Sequence, residues 1–66
     1  MSVEAVRLYR PAEAAEVLGV SDWYIYKRIK EGAIRVVELG TSKHKQRIRA
    51  DDLQSFIDSR TYGTNN

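Results

Sequence analysis

The stretch LGVSDWYIYKRIKEG, from Leu18 to Gly32, decides how the rest of the chain is read. Gly19 is placed to end one helix in a left-handed conformation, Ser21 offers a hydroxyl to cap the next, and Gly32 stops that second helix. So few residues join the two helices that they must cross at a steep angle instead of returning as an antiparallel pair. The second helix invests little in a core. Ile25 and Ile29 at i, i+4 form its thin apolar stripe, while Asp22, Trp23, Tyr26, Lys27 and Lys30 crowd its other sides with groups that hydrogen-bond or stack. A helix of this composition works by its outer face.

Upstream, Pro11 pushes Arg10 into an extended conformation and is itself suited to a first helical position, so the preceding helix starts there. Arg10 is a poor cap because it has no acceptor for the free amides, and Glu13 and Glu16 compensate through the helix dipole. Ala14, Val17 and Leu18 form the expected buried stripe, Ala15 is small enough for a second helix to cross closely, and Val20 drops into the core beneath the turn. Val3 and Val6 fit either a loose arm or a short strand, and Met1 to Val6 stays unassigned.

Downstream of Gly32 the pattern turns extended. Ile34 to Leu39 is rich in β-branched residues, with Val37 and Leu39 on one face. Gly40 to Ser42 makes a turn, and Lys45 to Arg49 returns with Ile48 inward and Arg47 and Arg49 outward. The result is a two-stranded hairpin with a basic tip, Thr41 to Lys45. It leans on the helices through Ile34, Val37, Leu39 and Ile48, because a lone hairpin is marginal. A last helix runs from about Ala50 to Arg60, with Asp51 and Asp52 at its positive end and Leu53, Phe56 and Ile57 as its stripe. Gly63 marks its limit, and residues 64–66 are expected to form a flexible tail.

The 66 residues fit a single domain spanning the chain, with its core at about 8–60. The absence of cysteine removes disulfides and a thiol nucleophile, and no apolar run is long enough for a membrane span or a signal-peptide core. A soluble, cytoplasmic protein is therefore expected. The net charge of +2 is small, but residues 23–49 hold eight basic groups against two acids. Such a one-sided field suits a protein that docks one face on a polyanion: nucleic acid first, an acidic protein or membrane surface second. Catalysis is not expected, because the carboxylates sit scattered at helix starts and no nucleophile and base are paired. His44 is the only histidine, which excludes a histidine-built metal site, and no cofactor is implied.

Helix, turn, helix, basic hairpin, helix is the layout of an α+β winged helix-turn-helix. The chain resembles the small excisionase-type DNA-binding domains, or recombination directionality factors, of the MerR-like winged-helix group. The resemblance rests on Glu13-Ala14-Ala15, Leu18-Gly19-Val20-Ser21, Ile25-Tyr26-Lys27, Ile29, Gly32, Ile34, Gly40, Arg47-Ile48 and Asp52-Leu53, within residues 8–58. The chain departs from that pattern at the Arg10 cap, at Trp23-Tyr24, at Arg28 and in a longer Gly40 to Gln46 loop, mostly on the contact surface. The resemblance implies a protein of the bacterial nucleoid that binds double-stranded DNA in several adjacent copies and bends it. It would thereby turn a phage or mobile-element integrase toward excision. A small transcriptional regulator would use the same face. A protein-interaction module, with Trp23, Tyr24 and Tyr62 as its sticky surface, is the alternative of another class.

In such a fold the start of the second helix reaches base edges, which makes Ser21, Asp22, Trp23, Tyr26, Lys27, Arg28 and Lys30 the DNA-contact candidates. Lys27 suits either the paired acceptors of guanine or a phosphate. Tyr26 either donates to a phosphate or simply packs. Arg28 and Lys30 read as phosphate partners or solvated charges. Trp23 either projects toward DNA or another protein, or folds back over Val20. In the wing, Lys43, His44, Lys45 and Arg47 suit a minor groove, with a structural Arg47–Glu38 pair as the alternative. Neutralising about 6 phosphates would cost roughly 10³ in affinity between low and moderate salt. The acids Glu13, Glu16, Asp51, Asp52 and Asp58 either meet the basic wing of a neighbour head to tail or serve the helix dipoles.

Overall fold

A computed structural model describes residues 7–63; the unassigned stretch Met1 to Val6 and the expected tail at 64–66 lie outside the described residues. The chain forms β1 (Leu8–Tyr9), α1 (Pro11–Leu18), α2 (Asp22–Lys30), β2 (Val37–Glu38), a 3₁₀ turn (Lys43–Lys45), β3 (Gln46–Arg49) and α3 (Ala50–Ser59). Three helices and an antiparallel sheet make the α+β architecture of a winged helix-turn-helix.

The sheet has three strands, not two, in the order β1-β3-β2. The extra strand follows from Pro11. Arg10, held extended at φ −70° and ψ 153°, keeps the chain before α1 straight enough to lie along β3. Leu8 pairs with Arg49 and Tyr9 with Ile48, and the Ala50 N–H donates to the Arg7 carbonyl at 2.8 Å. On the other side of β3, Val37 pairs with Arg47 and Glu38 with Gln46. The wing is thus tied to the start of α1 through its own return strand.

Arg10 makes no side-chain cap, and the first turn of α1 is closed from inside the helix instead. The Glu13 carboxylate accepts the Arg10 backbone N–H at 2.9 Å; that bond, with the Arg10 and Arg7 charges, holds the Glu13 carboxyl below its ordinary value. At the far end Gly19 takes φ 71°, and the Val20 N–H donates to the Ala15 carbonyl at 2.9 Å. Ser21 then caps α2, its hydroxyl accepting the Tyr24 N–H at 3.2 Å. Gly32, at φ 82°, ends the helix, and the Ala33 N–H donates back to the Arg28 carbonyl at 2.9 Å.

Ala14, Ala15, Ile25, Ile34, Ile48, Leu53 and Phe56 form one buried cluster, edged by Tyr9, Leu18, Val20, Tyr24, Ile29, Val36 and Ile57. Two expectations shift by a residue. Val17 is 57% exposed, and the inner face of α1 is Pro11, Ala14, Ala15 and Leu18: two buried alanines, not a valine, let α2 cross closely. In the wing, Leu39 is 58% exposed, and Ile34 and Val36, two apart, are the inward pair. Val37, which pairs with Arg47 in the ladder, is half-buried but is not among the residues packed on the cluster. The wing therefore leans on the helices through Ile34, Val36 and Ile48.

Candidate nucleic-acid interface

At about 100° per residue, Trp23, Tyr26, Lys27 and Lys30 stand at i, i+3, i+4 and i+7 on α2, opposite the Ile25–Ile29 stripe. Burial of Ile25 fixes the rotation of the helix and so turns this row outward. Trp23 is 68% exposed, which decides against folding over Val20. The Lys27 ammonium lies 5.3 Å from the centroid of the Trp23 ring, one helical turn away. Lys27 and Lys30 are exposed and carry no carboxylate partner among the described residues; Tyr26 is half-buried. Ser21 and Asp22 are exposed at the N-terminus of the helix, where the Ser21 hydroxyl is already engaged as the cap.

Arg28 is not a solvated charge. Its side chain is 15% exposed, its guanidinium stacks 4.8 Å from the Tyr24 ring centroid, and Nη2 donates to Glu31 at 3.0 Å. Tyr24 in turn packs on the core, so it does not join Trp23 in a sticky surface. Arg49 is similarly occupied, facing Asp51 at 3.0 Å, whereas Arg35 reaches Asp52 only at 3.9 Å and its side chain stays 83% exposed. Arg47 does not pair with Glu38, because Glu38 lies opposite Gln46 and accepts its amide at 3.2 Å. Instead Arg47 Nη1 donates to the carbonyls of His44 and Gln46 at 3.0 and 2.9 Å.

That pair of bonds shapes the wing tip. The Ser42 carbonyl accepts the Lys45 N–H at 3.0 Å and the Ser42 hydroxyl accepts the His44 N–H at 3.2 Å, closing the 3₁₀ turn. The Leu39 N–H donates to the Lys45 carbonyl at 2.9 Å. Gly40 is required here, since a Cβ at that position would stand 2.8 Å from Lys45 Cγ and 3.2 Å from its Cβ. His44 and Lys45 are exposed at the tip, and the Lys43 backbone lies in the turn.

Four of the five acids named for a head-to-tail contact are also engaged within the molecule: besides Glu13, Asp51 and Asp52, Asp58 accepts the Gln54 amide at 2.9 Å, whereas Glu16 is exposed. A division results that composition could not show: several of the arginines hold the fold, whereas the described lysines, Lys27, Lys30 and Lys45, are left exposed with no carboxylate partner among the described residues.

Two helices joined by a short turn, the second with a cationic outer row, followed by a basic hairpin, are an arrangement for holding a polyanion. A family model described as a helix-turn-helix domain matches residues 8–61, and the chain belongs to that family. No curated protein and no solved structure matches the chain. Among the described residues, no helix is long and apolar enough to cross a membrane.

Proposed function

We propose that this chain is a DNA-binding protein of the excisionase type, a MerR-like winged helix-turn-helix that binds in several adjacent copies, bends the duplex and directs an integrase toward excision. In this reading α2 enters the major groove and the wing tip reaches the adjacent minor groove, within the cytoplasm of a bacterial host. The carrying observation is the outward row on α2, in which Lys27 and Lys30 are exposed with no carboxylate partner among the described residues while neighbouring Arg28 is held by Glu31. Ile25 of α2, Ile34 at the entry to the wing and Ile48 of β3 share one buried cluster, which supports a fixed relation between helix and wing. A monomer of this size covers little DNA, so specificity requires neighbours, bending or a partner.

The replacement Lys27→Ala, Lys30→Ala and Lys45→Ala together is expected to lower the slope of log affinity against log salt by about 2 to 3. Fluorescence anisotropy on a duplex selected from a random pool reads this out, and an unchanged slope would refute the face. A circular-permutation assay then separates the excisionase reading from a simple regulator: bending by adjacent copies favours the first, and binding without bending the second.

A further inference from the structure

Trp23 is the least explained side chain on α2. It adds nothing to the core, yet a large apolar ring stands 68% exposed in the first turn of the helix that carries the exposed Lys27 and Lys30. Any surface that covers it must also accept the ammonium groups of Lys27 and Lys30, which excludes an ordinary apolar protein patch. The other large hydrophobics exposed among the described residues, Leu8, Val17, Leu39 and Tyr62, lie outside α2, so the indole is the single strongly exposed large hydrophobic of that helix. Protein interfaces assemble contiguous apolar area around such a ring. The major groove instead offers an isolated apolar feature among polar edges and phosphates, the C5-methyl of thymine.

We propose that Trp23 and Lys27 act as one reading unit that selects a thymine next to a guanine. The indole covers the thymine methyl while the Lys27 ammonium takes the O6 and N7 acceptors of the adjoining guanine. The 5.3 Å between ammonium and ring centroid suits side chains addressing neighbouring base pairs, which are stacked about 3.4 Å apart along the duplex axis. The inference rests on the DNA-binding reading above and adds to it the residue that sets sequence preference.

The test uses the whole chain and a duplex selected from a random pool, with each thymine replaced in turn by uracil, which lacks only the methyl. One thymine, adjacent to a guanine, is expected to lose about fourfold in affinity on replacement, the worth of one buried methyl. Trp23→Ala is expected to bind the thymine and uracil duplexes equally, and Trp23→Phe to keep the preference. Indifference of the unaltered protein to uracil at every position, or a Trp23→Ala variant that keeps the thymine preference, would overturn the inference while leaving DNA binding intact. Failure to bind any duplex at low salt would overturn both.

Discussion

Helix α2 carries two aromatic–cation pairs of the same design, each at i, i+4 and one residue out of phase with the other. Tyr24 and Arg28 stand 4.8 Å apart at the edge of the core, with Arg28 further tied to Glu31; Trp23 and Lys27 stand 5.3 Å apart in the open. The single-residue offset turns one pair about 100° away from the other. The same contact therefore has two uses. In the first pair a planar guanidinium, weakly hydrated and able to stack, is held against a ring that packs on the core. In the second, a strongly hydrated ammonium stays available with an exposed ring beneath it.

The largest expected effect comes from breaking the inner pair. Tyr24→Ala should cost about 2 kcal/mol of stability, roughly half the worth of a fully buried aromatic ring, because Tyr24 is half-buried. Trp23→Ala should stay within about 0.5 kcal/mol, as for an exposed site. Urea unfolding followed by circular dichroism measures both, and equal losses would mean that Trp23 is also part of the fold.

How far this division is legible in the sequence depends on what fixes each residue. The helices are set by local signals, Pro11, Gly19, Ser21 and Gly32, whose effects act within a turn, and each ends where its punctuation stands. β1 escapes such reading because two residues carry no periodicity; the pairing of Leu8 with Arg49 joins segments about forty residues apart. The phase errors at Val17 and Leu39 have the same origin. Apolar character alone leaves open which side of a short element turns inward until tertiary packing turns Val17 outward and Val36 inward. The roles of the basic residues were the least legible. Arg28 and Lys27 are adjacent like charges in the sequence, and only the placement of Glu31 and Tyr24 separates them.

That separation makes the next prediction, which reads affinity against stability at two neighbouring positions. Arg28→Ala should lower stability by about 1 kcal/mol through lost stacking and a partly exposed ion pair, and Arg28→Lys should not restore it, because an ammonium cannot stack flat on Tyr24. Its salt slope for DNA binding should not change. Lys27→Ala should do the reverse, leaving stability within about 0.5 kcal/mol and cutting the salt slope by about 1 if its ammonium meets a phosphate. If Lys27 reads guanine instead, the loss appears as relaxed preference at one base pair.

The smallest effect is the most direct measure of the contrast. A double-mutant cycle on stability, with each aromatic replaced by leucine and each cation by methionine, isolates the pairwise term from the volume removed. For Tyr24 and Arg28 the coupling should approach about 1 kcal/mol, because burial strips water from the guanidinium. For Trp23 and Lys27 it should not exceed about 0.5 kcal/mol, since the exposed ammonium keeps most of its hydration in either state. Raising the salt concentration sharpens the difference further, as screening removes the outer coupling and spares most of the inner one. An outer coupling as large as the inner one would mean that Lys27 is held to Trp23 too firmly to turn toward a base, and the ammonium would then act by position alone.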